Sequence, residues 1–357
     1  GSVETALGWA CELYKYDPYR ATKVKAVTLA LPKPVASQSA MIANAIHSVR
    51  DQVNTPANLF GPDELEREAR TLAKAHKAKV ISGPALAKGF PLIHTVGVAS
   101  TRKPRLIDMT WGAASHPKVT IVGKGVVFDT GGLDIKPSAN MLVMKKDMGG
   151  AANVLGLARL IMQAGLKLRL RVLVPAVENS IAGDAFRPGD VFKSRKGLTV
   201  EIGSTDAEGR LILADALALA DEESPELLLD MATLTGAARV ATGPDLPPFY
   251  TDDEALAADI SRHAFAVNDP LWRLPLWRPY GSMIETPIAD LNNASAGGYA
   301  GSITAALFLR RFVERAKAYV HFDIFAWTPT AKPGRPKGGE AQAMRAMFAL
   351  LCERYGK

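Results

Sequence analysis

KVTIVGKGVVFDTGG (118–132) carries an apolar strand, VTIV, straight into a glycine-rich loop that holds an aspartate. LRLRVLVPAVEN (168–179) is a near-continuous apolar run, the mark of a strand buried on both faces. Between them MGGAANVLGLARLIMQAG (148–165) has helical spacing with small residues on one side. Strand, loop, helix and strand in that order read as an α/β unit. The same alternation continues outward. Helices are expected over 209–223, 301–316 and 339–356, and strands over 226–236 and 318–327. Residues 190–202 read as a hairpin turning at Lys196-Gly197. Upstream, residues 4–17 and Ala40–Gln52 read as helices, and Pro62-Asp63-Glu64 opens another with acids in its first turn. Residues 24–32, 77–83 and 92–100 read as strands, while Gly243–Pro248 and Thr328–Gly339 read as loops. The expected fold is α/β: a mixed, largely parallel central sheet covered by helices on both faces, with a site at the carboxyl ends of its strands.

Of the 357 residues 48% are hydrophobic and 22% charged, which is ordinary for a globular protein with a large core. No apolar run reaches the roughly 18–20 residues that span a bilayer, so no membrane partner is expected. The only cysteines, Cys11 and Cys352, lack metal or disulfide spacing. A reducing, cytoplasmic setting fits them. The net charge of +7 permits contact with a polyanion such as DNA, but there is no concentrated basic tract.

Three strand-end loops carry the unusual polar residues. They are GKGVVFDTGG (123–132) running on to Asp134-Ile135-Lys136-Pro137, then MKKDMGG (144–150), then STDAEGR (204–210). Asp129, Asp147, Asp206 and Glu208 each sit in a glycine-flanked turn. Any one alone reads as a helix N-cap. Four brought together repel unless cations neutralise them, and a pair of divalent metals does that. Other hydrolytic signatures are missing. None of the six histidines falls in H-E-x-x-H, and there is no G-x-S-x-G elbow, P-loop or G-x-G-x-x-G.

At these loops the chain resembles the leucine aminopeptidase family of dizinc cytosolic exopeptidases. VGKGVVFDTGGLDIKP, MKKDMGGAANVLG and STDAEGRLILADAL carry the likeness, with RDQVNTPANLFGP, DMATLTGA, NNASAGGYAGSITAALFLRRFV and HFDI extending it over roughly 45–355. The resemblance implies that Lys124, Asp129, Asp147 and Glu208 hold a tightly bound metal. It implies that Asp129, Asp206 and Glu208 hold a more exchangeable one, with Asp129 and Glu208 bridging. Lys136 and Arg210 become the catalytic pair, with bicarbonate on Arg210. Met144, Thr233 and Gly236 line the pocket for the first side chain, for which Leu or Met is expected. The implied reaction is hydrolysis of the N-terminal residue of a free-amine peptide through a metal-bridging hydroxide. Oxygen and amine ligands suit Zn or Mn, and also Co or Mg. The implied assembly is a homo-hexamer, for which the aromatic segments Pro244–Tyr250 and Trp272–Tyr280 are candidate surfaces. The alternative reading is a DNA-binding regulator. Ser204 departs from the family's usual Asn. Residues 1–40 are expected to be the remnant of an N-terminal domain and its linker, Gly1-Ser2 a cleavage scar, and 41–357 the catalytic domain.

Overall fold

The computed structural model describes residues 2–20, 28–83 and 86–356. Its helices are α1 (Val3–Glu12), α2 (Lys33–Asn54), α3 (Pro62–His76), α4 (Pro91–Gly97), α5 (Ser138–Met141), α6 (Gly149–Ala164), α7 (Glu208–Asp221), α8 (Gly236–Thr242), α9 (Glu254–Ala266), α10 (Gly301–Arg310) and α11 (Met344–Tyr355). Its strands are β1 (Lys79–Gly83), β2 (Arg105–Trp111), β3 (Lys118–Gly123), β4 (Gly125–Asp129), β5 (Arg169–Asn179), β6 (Val191–Lys193), β7 (Thr199–Glu201), β8 (Leu227–Ala232), β9 (Pro248–Tyr250), β10 (Trp272–Arg273), β11 (Leu291–Asn292), β12 (Tyr319–Asp323), β13 (Trp327–Thr328) and β14 (Gly338–Gly339).

The main sheet runs β1-β2-β5-β3-β8-β12-β9-β10, with β4 also on β5. Its centre, β5-β3-β8-β12, is parallel, and β1, β2 and the β12-β9 pair are antiparallel. The period-two alternation of strand side chains feeds two cores. Leu170, Val172 and Val174 of β5 and Leu227, Leu229 and Met231 of β8 join α2, α3, α6 and α11 on one face. Leu173, Val177, Leu228 and Ala232 join α4, α7 and α10 on the other. This is the expected mixed α/β fold with helices on both faces. The hairpin over 190–202 also forms, as β6 and β7.

Local chemistry explains several helix starts. Glu64 accepts from the Gly61 amide at 2.9 Å, the carboxylate half of a capping box, just ahead of Pro62 and α3. The strand expected over 92–100 is instead the helix α4. Pro91 opens it, and the buried Asp215 carboxylate accepts from the Leu92 and Ile93 amides at 2.8 and 3.3 Å. That cap comes from a residue 123 positions away, so the short apolar run alone was ambiguous. The closing helix begins at Met344, five residues later than expected, because Gly338–Gly339 pairs with Trp327–Thr328. Of the strand expected over 24–32, residues 24–27 lie outside the described residues, and 28–32 form no strand. Helix α2 crosses positions 40 and 41 without a break, and Leu7 and Cys11 of α1 pack into the first core. The aromatic segments divide: Phe249 and Tyr250 are fully buried, whereas Trp272 and Trp277 are 60% and 54% exposed.

Candidate active site and metal centre

β3 pairs with both β5 and β8, but after Lys124 the chain continues as β4 along β5 alone. The sheet therefore opens between β4 and β8 at its carboxyl edge, where α/β folds bind ligands. Lys124 sits at the fork, its backbone tied to Met231 O and Ala151 N at 3.0 and 2.9 Å. Two glycines permit the arrangement. A Cβ on Gly150 would lie 2.1 Å from Met231 O, so only glycine lets α6 start this close to β8. A Cβ on Gly209 would lie 2.4 Å from Lys124 Cε, so Gly209 leaves room for that side chain.

Two carboxylate pairs gather here, each around a lysine. Lys124 Nζ lies 2.7 Å from Asp147 Oδ2 and 2.9 Å from Glu208 Oε1, and donates to Thr233 O at 3.0 Å. Lys136 Nζ lies 2.9 Å from Asp129 Oδ2 and 2.5 Å from Asp206 Oδ1. Oxygens of Asp129, Asp206 and Glu208 converge within 4.8 Å of one another. Asp147 stands beyond Lys124, its Oδ1 accepting from Thr233 Oγ1 at 2.8 Å. Asn179 and the Gly131 amide fix Asp129, each at 2.8 Å. Thr205 ties the two loops together, donating to Gly131 O at 2.6 Å and accepting from the Asp134 amide at 2.8 Å.

The electrostatics fit a cation site. Burial and the neighbouring Asp129 push the Glu208 carboxyl up to about 8 and that of Asp206 up to about 6. The cluster resists its own negative charge, as like charges in a low-dielectric site must. Burial works against the charge on Lys124, but Asp147, Glu208 and Asp129 outweigh it and raise its pKa above the ordinary lysine value. Lys136 is raised in the same way, against burial, by Asp129, Glu208 and Asp147. The donor set is hard oxygen and amine, convergent and acidic, so the residues fit divalent cations.

A cavity of about 260 Å³ opens onto this cluster. Met144, Thr233 and Gly236 line it, together with Lys124, Asp129, Lys136, Asp147, Asp206 and Glu208. Of the residues expected in the site, Arg210 alone is off the cavity wall. It is buried in the first turn of α7, where burial lowers its pKa to about 10. Its Nη1 donates to Asn293 O at 2.6 Å, and its Nε has no protein partner.

Sequence reasoning assigned no role to four other wall residues, Lys146, Arg239, Asp323 and Phe325. Asp323 accepts from the Leu234 and Thr235 amides at 3.0 and 3.1 Å and so fixes the start of α8. HFDI carried its signal, but the contact joins strand ends 89 residues apart.

An α/β sheet opened at its carboxyl edge, with paired acids and lysines facing a cavity, is a candidate hydrolase site whose acids could hold a metal ion. Residues 47–348 match the family model described as "Cytosol aminopeptidase family, catalytic domain". The chain belongs to this cytosol aminopeptidase family and is a peptidase. It is 40% identical over 355 residues to a probable cytosol aminopeptidase of Roseiflexus castenholzii, covering 95% of this chain and 72% of that one. A counterpart from Rhizobium rhizogenes is 39% identical, with 99% and 75% covered. Among solved structures, the cytosol aminopeptidase from Coxiella burnetii superposes with a TM-score of 0.96 at 48% identity, covering 98% of this chain and 77% of that one. The bottromycin maturation enzyme BotP in complex with Mn gives 0.93 at 33% identity, covering 99% and 80%. Among the described residues no helix is long and apolar enough to cross a membrane.

Proposed function

We propose that the chain is a dimetal aminopeptidase that releases the N-terminal residue of free-amine peptides in the cytosol. The observation that carries this reading is the double carboxylate–lysine arrangement at the sheet's open edge. Lys124, Asp129, Asp147 and Glu208 would hold one ion, and Asp129, Asp206 and Glu208 the other. Zn and Mn suit the ligand set best, with Co and Mg also accommodated. When bound, the cations supply an acidified water and a Lewis acid for the carbonyl, and bicarbonate supplies a proton acceptor.

The chain's own groups do the rest. Lys124 ligates only as a neutral amine, so its ion pairs with Asp147 and Glu208 must give way to ligation. Lys136, held protonated by its acidic neighbours, faces the same cavity and stabilises negative charge developing on the carbonyl oxygen. Arg210 offers its unpartnered Nε to bicarbonate. A homo-hexamer belongs to the proposal, and the exposed Trp272 and Trp277 offer it an apolar surface. The DNA-binding alternative gains no support from the described residues.

The geometry predicts that the two ions are separable. Of the two cluster lysines, Asp147 pairs with Lys124 and Asp206 with Lys136. Metal analysis after dialysis should find two ions per chain in the parent. Asp147→Asn should lose the tightly held ion, while Asp206→Asn should keep one firmly bound. Equal loss of both ions from both variants would count against this division.

A further inference from the structure

Asp147 reaches the site from a single 3-10 turn, Met144–Met148, whose start no side chain caps. The hydrogen bonds of such turns have poorer geometry than those of an α-helix, so the turn fixes its own position weakly. A contact outside the cavity holds it. Lys145 Nζ donates to Asn54 O at 2.5 Å and lies 5.9 Å from the centroid of the Trp327 ring. Asn54 is the last residue of α2, where the end carbonyls lack partners within the helix. The last turn of α2 has no basic residue of its own, so Lys145 brings a cation from another segment to the negative end of that helix. The acceptor is itself fixed. Asn54 Oδ1 accepts from the Gly339 amide at 2.8 Å, and its Nδ2 donates to Tyr14 Oη at 3.2 Å. Tyr14 Oη in turn donates to Asp51 Oδ1 at 2.7 Å. A Cβ on Gly338, at φ +129°, would lie 2.5 Å from Asn54 Oδ1, so glycine lets this strand approach α2. Trp327 pairs with Gly339, which places Lys145 between the end of α2 and the β13–β14 pair.

Resting on the dimetal aminopeptidase reading, we propose that Lys145 is a positioning residue for the tightly held ion: its bond to Asn54 O holds the 144–148 turn where the Asp147 carboxylate can ligate. Asp147 is the one proposed ligand that this turn carries; Lys124 and Asp129 stand at the ends of β3 and β4, and Glu208 at the start of α7. Within the site Asp147 is held by Lys124 at 2.7 Å and by Thr233 Oγ1 at 2.8 Å. Ligation by a neutral Lys124 ends the first of these ion pairs, so the tie to α2 matters most when the ion is bound. Charge alone acts in the opposite direction. A cation near a metal site opposes the ion, so removing Lys145 for its charge would tighten binding. Removing it for its position would loosen binding. The sign of the change therefore separates the two roles.

The test is competition for Mn and for Zn between the folded chain and a chromophoric chelator, which reads affinity without turnover. Lys145→Met keeps an apolar stem against Trp327 and removes the donor. It should weaken the tightly held ion by about 10–100-fold, the range for groups that orient a metal ligand, and leave the exchangeable ion unchanged. Lys145→Arg can still donate to the Asn54 carbonyl, and should hold the tight ion close to the parent's affinity. Unchanged or tighter binding by Lys145→Met would overturn the proposal and leave the dimetal reading standing. So would equal weakening by Lys145→Met and Lys145→Arg. Failure of Lys145→Met to fold, or equal loss of both ions from it, would make the bond a general support of the fold and overturn the proposal too. A parent chain that takes no ion from the chelator would overturn the dimetal reading, and this assignment with it.

Discussion

Lys136→Ala should lower turnover by roughly 10²–10³ while leaving both metal sites filled, the loss typical of one oxyanion donor. Lys136 projects from the loop after β4, 12% exposed, and touches Asp129 and Asp206. In the proposed enzyme those carboxylates face the ions, so the metals do not depend on the ammonium for binding. What the variant loses is positive charge beside the carbonyl oxygen as it becomes an anion. The loss should therefore fall on kcat more than on KM, because the interaction strengthens in the transition state. Steady-state kinetics together with metal analysis of the same sample check it. A variant that has lost its ions, and works normally once they are restored, would move Lys136 from catalysis to metal retention.

The largest stability effect should come from Glu340→Ala, which should cost about 3–5 kcal/mol, the range for breaking a buried ion pair from one side. Arg50 of α2 is 1% exposed, and its Nη2 lies 3.1 Å from Glu340 Oε2. The guanidinium also donates to Cys11 O at 3.2 Å and Gly334 O at 2.8 Å. Removing the acid strands a full charge among α1, α2 and the segment before α11. Arg50→Met combined with Glu340→Leu removes both charges, and should recover much of the loss because no unpaired charge stays buried. Urea denaturation of the three variants measures the difference. A cost below about 1 kcal/mol for Glu340→Ala would mean that water reaches Arg50.

The strands of the sheet centre were legible because their apolar runs report burial on both faces. The gathering of the acids was legible because each lies in a short glycine-rich loop at a strand end. What sequence reading missed depends on contacts between distant segments. Helix α4 depends on Asp215, far along the chain, to cap it. Helix α9 does carry a local signal, Asp253 accepting from the Leu256 amide at 2.9 Å, and a search for caps would have found it. Lys146 stood in the quoted MKKDMGG and drew no assignment, because a lysine in a loop normally reads as solvated. Only the tertiary fold buries it and brings Arg239 to the same ring as Lys146. Arg210 was placed in the catalytic pair by resemblance alone, and its Nη1 donates to Asn293 O.

The most direct test of the metal-dependent aminopeptidase is hydrolysis of one peptide in two forms, free and N-acetylated, by chelated and by reloaded enzyme. The free-amine peptide should be cleaved from its N-terminus by enzyme reloaded with Mn or Zn, and left intact by chelated enzyme. The acetylated form should resist both, because a blocked amine cannot be held at the acidic cluster. Undiminished cleavage after exhaustive chelation, or equal cleavage of the acetylated peptide, would contradict the account.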